Sequence, residues 1–220
     1  MRVFLYLRSF VFCLLHLPIK QAIYIPILIG AKVIKKDFSG TIIIDSQSIY
    51  RGMIKLGIDK GSFSMGDKQS YLTGAGKIIF LGATNICSGF RFAVSPNGEI
   101  LLGNRTFMNA NVTISSNTIV SIGDFCNFGW NCTILDGDGH KIINIRDKRT
   151  INHNSPVIIE NYCWLSAHCT ITKGVRLCHH TITPYGSVIN KSNKTPFVLW
   201  GGATNKILKE DIAREDFLDK

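Results

Sequence analysis

The sequence predicts an all-β solenoid, in which the chain winds into stacked coils of short strands and tight turns. Aliphatic residues recur at a six-residue step through the last third of the chain. A helix would place them three and four residues apart, and a flat amphipathic strand would place them two apart. A step of six suits one short strand plus one turn. We therefore expect three such units to close a triangular coil whose strand edges pair with the next coil.

The repeat combines a large inward residue with a small residue four positions later. The large residues of the last third are Ile159, Leu165, Ile171, Leu177, Thr183 and Ile189. The small residues that follow the first five of them are Cys163, Cys169, Val175, Thr181 and Ser187. The same register is present upstream in Leu102, Met108 and Ile114 and, after a two-residue slip, in Ile122, Phe128 and Ile134. These positions predict the core, with the small residues fitting the corners.

Before residue 100 the six-residue step is looser. The segments "GTIIIDS", "GKIIFLG" and "GEILLG" still have the pattern of strands entered through glycine. We expect them to form the first, irregular coils of the solenoid.

The chain has seven cysteines, an odd number, and no CxxC pair. A disulfide framework is not expected in a chain this long, and a reducing compartment fits better. Cys126, Cys132, Cys163 and Cys169 occupy the small inward position. We predict that they fill the core as small hydrophobic residues and neither bind a metal nor act as nucleophiles.

The composition favours one folded domain with an anionic partner. The chain has 220 residues, of which 45% are hydrophobic and 18% charged, so disorder is not expected as its main state. The net charge of +10 favours nucleic acid, a phosphate-rich cofactor, an acidic glycan or a membrane surface. The basic residues are scattered rather than clustered, which does not indicate a nucleic-acid-binding tail.

Three segments flank or interrupt the solenoid domain, which we assign to residues 38–205. Residues 1–37 are apolar, but charged residues divide them into runs shorter than the ~18–20 residues that span a bilayer. We expect short helices or strands packed on the body, or alternatively a membrane-surface anchor. Residues 141–155 break the repeat and carry four basic residues, which predicts a protruding basic loop. Residues 206–220 have the composition of a short C-terminal helix or tail.

The stretch "LDGDGHKIIN" places Asp136, Asp138 and His140 at alternate positions. In an extended chain the three side chains point to one side. The pattern is compatible with a metal site, a solvated turn or the acid–base centre of an enzyme.

Four segments of the chain resemble segments of a known protein family and occur in the same order as they do there. They are "CNFGWNCTILDGDGHKI", "PVIIENYCWLSAHCTITKGV", "GSVINKS" and "VLWGGATNKILK". The first resembles a catalytic coil that ends in a D-x-H element, the second a stretch built on Val-Trp-Ile-Gly-Ala, and the last two the segments that close a cofactor channel. Over residues 38–209 the chain resembles the hexapeptide-repeat acyltransferases, and most of all bacterial sugar or polysaccharide O-acetyltransferases. The resemblance implies a left-handed parallel β-helix.

The resemblance also implies a transfer of acetyl from acetyl-CoA to a hydroxyl group. His140 is then the general base, because a histidine can take the proton of the attacking hydroxyl and return it to the departing thiolate. Asp138 would orient the imidazole or stabilise the imidazolium, and Asp136 would face the substrate. The alternatives are a solvated loop histidine and, for the aspartates, a β-turn.

Five further residues match family positions near the cofactor. Trp164 would lie by the cofactor channel or cover a neighbouring coil or subunit. The backbone of Ala167 and Tyr185 would line the pantetheine arm. Lys191 and Lys206 would meet the phosphates of CoA, or would be ordinary solubilising charges.

Trp130 would form a wall of the acceptor pocket. His168, His179 and His180 fall on turn positions, and none of them pairs with His140 as zinc ligation on this fold requires. We therefore expect no metal.

The family implies a homotrimer with sites between neighbouring subunits, a sugar or glycan acceptor and no nucleic acid. Acetyl-CoA is cytosolic, which favours a cytoplasmic location, with peripheral contact to the inner membrane through the apolar N-terminus. Two other functions are compatible with the sequence: N-acetylation of an aminosugar nucleotide, and a non-catalytic solenoid scaffold.

Overall fold

The computed structural model describes residues 2–59 and 68–217. Its α-helices are α1 (Arg2–His16) and α2 (Ile19–Ala22), and a 3₁₀ helix spans Glu215–Phe217. The strands lie in three sheets, A, B and C, and the chain visits the sheets in that order, coil after coil. This is the triangular solenoid predicted by the six-residue step, and it is the left-handed parallel β-helix implied by the resemblance.

The strands of sheet A are β1 (Ile27–Ile29), β4 (Ile54–Leu56), β7 (Thr84–Ile86), β10 (Thr106–Met108), β13 (Asn127–Phe128), β16 (Trp164–Leu165), β19 (Ile182–Thr183), β21 (Leu199–Gly201) and β22 (Lys206–Lys209). The strands of sheet B are β2 (Val33–Phe38), β5 (Ser70–Gly74), β8 (Arg91–Val94), β11 (Thr113–Ser116), β14 (Thr133–Leu135), β17 (Thr170–Ile171) and β20 (Val188–Ile189). The strands of sheet C are β3 (Thr41–Ile44), β6 (Lys77–Phe80), β9 (Glu99–Leu102), β12 (Ile119–Ile122), β15 (Val157–Ile159) and β18 (Arg176–Leu177). The three glycine-led segments read from the sequence are therefore β3, β6 and β9, stacked in one sheet.

The predicted inward residues form the core. The large residues of the repeat, from Leu102 to Ile189, are all at most 1% exposed. Cys126, Cys132, Cys163 and Cys169 are completely buried, which confirms their role as core fillers. Burying an aliphatic side chain contributes about 1.5–3 kcal/mol, so the stacked coils supply most of the driving force for folding.

The corners of the coils require left-handed backbone at equivalent positions. Along the edge between sheets C and A these positions include Phe125, Tyr162, His180 and Phe197, with φ between 55° and 61°. Their rings stack on one another at centroid distances of 5.0, 4.6 and 4.3 Å. Residues other than glycine adopt this conformation at a cost of about 1–2 kcal/mol, which ring stacking partly offsets.

The two N-terminal helices close the first coil. In α1 the buried residues Ser9 and Cys13 face β1, where the Ser9 hydroxyl accepts a hydrogen bond of 3.0 Å from the Ile29 N–H. The Cys13 thiol donates to the carbonyl oxygen of Ile27 at 3.5 Å. Of the apolar segment 1–37, the helical part thus packs on the body, whereas β1 and β2 already belong to the first coil, so the solenoid begins before residue 38.

The C-terminal segment differs from the helix predicted for residues 206–220. Residues 206–209 form β22, which runs antiparallel to β21 at the edge of sheet A. The segment forms a strand despite its helical composition, because the open sheet edge offers backbone hydrogen-bond partners that a solvated helix end lacks. Helical structure is confined to the 3₁₀ turn Glu215–Phe217, and residues 218–220 lie outside the described part of the chain.

Candidate functional site

His140 lies on a loop that leaves the solenoid between β14 and β15. The loop is held together by an antiparallel bridge between Ile143 and Thr150. The His140 side chain is exposed to solvent, so it is accessible to a substrate. Two cross-links fix the base of this loop to the coils, and they involve the two aspartates of the motif.

Asp136 is the deeper of the two cross-links and is completely buried. Its Oδ1 accepts a hydrogen bond of 2.7 Å from the Asn117 N–H, and its Oδ2 accepts one of 2.7 Å from the Thr118 N–H. The hydroxyl groups of Ser116 and Thr118 also donate to Oδ2, at 2.9 and 3.0 Å. A substrate-binding role for Asp136 is therefore wrong: both carboxylate oxygens are used to hold the corner of the preceding coil.

Asp138 forms the outer cross-link. Its carboxylate pairs with the ammonium group of Lys173, which follows β17 on the next coil. It also accepts a hydrogen bond of 2.7 Å from the side-chain amide of Asn152. These two partners, Lys173 first and Asn152 second, hold the pKa of Asp138 below its ordinary value.

Asn152 connects this cross-link to the histidine. Its Nδ2 also donates to the backbone carbonyl oxygen of His140 at 2.8 Å, and its Oδ1 accepts from the Ile142 N–H at 2.5 Å. Asp138 therefore acts on the His140 backbone through Asn152, whereas the sequence suggested a direct contact with the imidazole. Sequence reasoning missed Asn152 and Lys173, because nothing in their local sequence marks them.

A second group of predicted residues lines one cavity of about 620 Å³ on the outer face of sheet A, which we call the aromatic cavity. Trp130, Trp164, Ala167 and Tyr185 all contribute to it. Trp164 points outward from β16, and its neighbour in the ladder is Asn127 of β13. The structure thus brings Trp130, predicted for the acceptor, together with the residues predicted for the cofactor.

Arg214 enters the aromatic cavity from the C-terminal segment and was missed in the sequence. Its guanidinium lies over the Trp164 ring at 5.8 Å, and its Nε donates to Asp216 at 2.9 Å. The segment is anchored by a hydrogen bond of 2.9 Å from the Ile212 N–H to the carbonyl oxygen of Phe197. This placement depends on the chain folding back, which no repeat pattern reports.

A smaller cavity of about 430 Å³ adjoins the aromatic cavity, since Tyr185 lines both. Its walls include the small residues Gly202 and Ala203 beside the β21–β22 hairpin. Lys206 is the first residue of β22 in this hairpin, and the Lys191 ammonium donates to the carbonyl oxygen of Thr204 in its turn at 3.3 Å. Neither lysine lines either cavity, so the structure brings these lysines to the hairpin but not into the cavities.

A polar cavity of about 680 Å³ lies beside sheet B and was not predicted. Lys32, Lys68 and Arg91 line it together with Asn111 and Asn131. The Asn111 amide donates to Asn131 at 2.9 Å, which places a hydrogen-bonded pair of amides along one wall. The cavity combines positive charge with groups that bind hydroxyls.

Residues from the walls of the polar and aromatic cavities meet at His168, at one corner of the solenoid. The Asn131 amide lies 3.1 Å from His168 Nε2. The His168 ring is 5.1 Å from the Tyr185 ring and 6.4 Å from the Trp130 ring. His168 thus contacts residues of both cavities.

His140 lines neither the aromatic nor the polar cavity. Its loop follows β14 of sheet B, whereas Trp164 lies on β16 of sheet A. Within one subunit the structure therefore does not bring the predicted base and the predicted cofactor residues together. Among the side chains that the structure describes, no group of three or more His, Cys, Asp or Glu is arranged to hold a metal ion.

The fold is shared with solved acetyltransferases, among them a hexapeptide-repeat acetyltransferase of Vibrio cholerae with a TM-score of 0.50, 22% identity, and coverage of 58% of this chain and 70% of that one. The structure of the polysialic-acid-specific acetyltransferase NeuO has the same fold, with a TM-score of 0.59, 21% identity, and coverage of 88% of this chain and 85% of that one. No protein-family model matches the chain.

The particular relatives are sugar O-acetyltransferases. A galactoside O-acetyltransferase of Lactococcus lactis is 30% identical over 54% of this chain and 56% of its own length. A polysialic acid O-acetyltransferase of Neisseria meningitidis is 36% identical over 31% of this chain and 32% of its own length. The chain is similar to these enzymes, and its matches span between 32% and 56% of the length of the curated relatives.

Proposed function

We propose that the protein is an acetyl-CoA-dependent O-acetyltransferase acting on a sugar hydroxyl of a cell-surface polysaccharide or its precursor. The observation that carries the proposal is the exposed His140 at the base of an inserted loop, fixed from below by Asp138 and Asn152. The similarity to galactoside and polysialic acid O-acetyltransferases supports the same chemistry.

The proposed reaction uses His140 as the acid–base group. The imidazole removes the proton of the acceptor hydroxyl as its oxygen attacks the thioester carbonyl carbon. A C–O bond forms, the C–S bond breaks, and the imidazolium returns the proton to the departing thiolate. The cross-link through Asn152 keeps the histidine backbone fixed during both proton transfers, which is the contribution of positioning.

For acetyl-CoA we propose the groove formed by the aromatic cavity and the smaller cavity beside it. Trp164 and Tyr185 offer flat apolar surface, and Ala167 offers a wall without a long side chain, as an extended pantetheine arm requires. Lys191 and Lys206 are proposed to meet the phosphates at the hairpin end, where positive charge favours an anion. Arg214 adds a further cation inside the groove.

For the acceptor we propose the polar cavity, in which the amides of Asn111 and Asn131 can bind sugar hydroxyls. Its three basic residues would favour a glycan that carries acidic groups. Trp130 stands at the junction of this cavity with the acetyl-CoA groove.

We further propose a homotrimer. His140 and the acetyl-CoA groove lie on different sheets of one subunit, so a second copy is needed to present the histidine loop of one subunit to the groove of another. Since the donor is cytosolic, we place the protein in the cytoplasm, with peripheral contact to the membrane through residues 1–37.

The test is an acetylation assay with acetyl-CoA and a panel of polysaccharides and nucleotide sugars, followed by mapping of the acetylated position. His140→Ala is expected to abolish transfer without changing the melting temperature. His153→Ala is the matched control, because His153 is an exposed histidine of the same loop and should leave the rate unchanged. Failure of the wild-type protein to bind or use acetyl-CoA would support the scaffold function instead.

A further inference from the structure

The N-terminal helix α1 presents an apolar face to solvent. Its buried stripe, which includes Ser9 and Cys13, packs on the first coil. Six apolar residues on its outer side are 40–77% exposed, namely Val3, Phe4, Leu7, Val11, Leu14 and Leu15. Ile19 and Ile23, in and just after α2, extend the same surface at 63% and 57% exposure. Such a contiguous apolar surface marks an interaction site.

The segment that carries this surface is positively charged. Residues 1–36 contain six lysines and arginines and no aspartate or glutamate. Lys20 and Lys36 are exposed, and Lys35 lies 2.8 Å from the ring of His16 at the end of α1. An apolar face bordered by cations is complementary to a bilayer of anionic lipids, in which acyl chains lie under negative headgroups.

The same charges disfavour a second copy of the chain as the occupant. If two copies met face to face through α1, the exposed lysines Lys20, Lys35 and Lys36 of each copy would add repulsion between like charges. A spanning role is also disfavoured, because α1 has 15 residues and is only about 22 Å long. No helix in residues 2–59 or 68–217 is long and apolar enough to cross a membrane.

We propose that α1 and α2 dock the protein on the surface of an anionic bilayer, with α1 lying in the interface. This deepens the membrane contact proposed above but is independent of the acetyl transfer. Because α1 packs on β1 at one end of sheet A, docking holds that end of the solenoid at the lipid surface. The strand β16, which carries Trp164, lies five strand spacings away, or about 24 Å. The candidate site would then face the aqueous layer next to the membrane.

The experiment is co-sedimentation of the purified full chain with vesicles, without acetyl-CoA or acceptor. Vesicles of phosphatidylcholine with phosphatidylglycerol are compared with vesicles of phosphatidylcholine alone. The wild type is expected to pellet with the anionic vesicles only. Leu7→Glu with Leu15→Glu should abolish binding, and Lys20→Glu with Lys36→Glu should weaken it by roughly fivefold for each positive charge removed.

The matched control is Ile145→Glu with Ile151→Glu. These residues are exposed isoleucines of the loop at 141–155, remote in sequence from the helices, and their replacement should leave vesicle binding unchanged. Wild-type protein that stays in the supernatant, or that binds both vesicle types equally, would overturn the proposal. So would light scattering in which Leu7→Glu with Leu15→Glu splits an oligomer, since the face would then join copies of the chain. Vesicle binding and light scattering do not depend on acetyl transfer. Failure of the membrane proposal is therefore distinguishable from failure of the proposed function.

Discussion

The side-chain amide of Asn152 donates a hydrogen bond of 2.8 Å to the backbone carbonyl oxygen of His140. The same nitrogen donates to Asp138, and the amide oxygen accepts from the Ile142 N–H. One side chain thus ties the outgoing and returning arms of the loop, and the position of the histidine depends on it.

Asn152→Ala is therefore expected to lower kcat of acetyl transfer by roughly ten- to a hundredfold, the effect of misplacing a catalytic group by about 1 Å. KM for acetyl-CoA should not change, because Asn152 does not line the aromatic cavity. Steady-state kinetics measures both values. Asn154→Ala is the control within the same loop, and a KM effect without a kcat effect in Asn152→Ala would contradict the assignment.

Lys173→Met is expected to raise the pKa of Asp138 towards its ordinary value, because Lys173 is the largest cause of the lowered pKa. Carbon-detected NMR titration of the carboxyl group measures this shift. With a lowered folded-state pKa, the cross-link stabilises the loop above the unfolded value near ~3.9 and is lost as pH falls through the folded-state pKa. Lys141→Met, in the same loop, should leave the titration unchanged, and an unchanged Asp138 pKa in Lys173→Met would refute the pairing.

Asp136→Ala is expected to lower the free energy of unfolding by about 3–5 kcal/mol, since it leaves two backbone N–H groups and two hydroxyls in a buried corner without their acceptor. Urea denaturation followed by circular dichroism provides the value. Asp138→Ala is the comparison, and it should cost far less because Asp138 is an exposed loop residue. A stable but inactive Asp136→Ala protein would contradict this structural role and support a substrate-binding role for Asp136.

Trp164→Ala is expected to weaken CoA binding by roughly tenfold, or about 1.4 kcal/mol, through loss of aromatic surface in the groove. Isothermal titration calorimetry gives the affinity. The matched control is Tyr50→Ala, which removes an exposed aromatic ring from a different cavity. Unchanged affinity in Trp164→Ala would mean that CoA does not use the aromatic cavity.

The coils could be predicted from the sequence because their determinants are local. The large residue Leu165 predicts which side of its strand faces the core, and the small residue Cys169, four positions later, predicts a tight corner. Repetition then fixes the stacking, since each strand pairs with its equivalent in the next coil.

The roles of the two aspartates could not be predicted, because their partners lie one coil away. Asp136 binds residues 18–20 positions upstream, and Asp138 pairs with Lys173, 35 positions downstream. The local "DGDG" pattern is the same for both, yet one carboxylate is buried and the other exposed. The position of Arg214 over Trp164 likewise depends on a return of the chain that leaves no periodic signal.

The reversal of direction at β22 has a consequence for how the molecule ends. The last strand of a parallel sheet has unpaired backbone groups that can bond to a further strand, so an open last coil favours end-to-end association. The antiparallel strand β22 occupies that edge with the wrong polarity for another coil. Lys206 and Lys209 at its two ends add charge that repels an incoming strand. The hairpin thus blocks this edge of sheet A, and a protein cut before residue 206 is expected to associate with a second copy through the exposed strand β21.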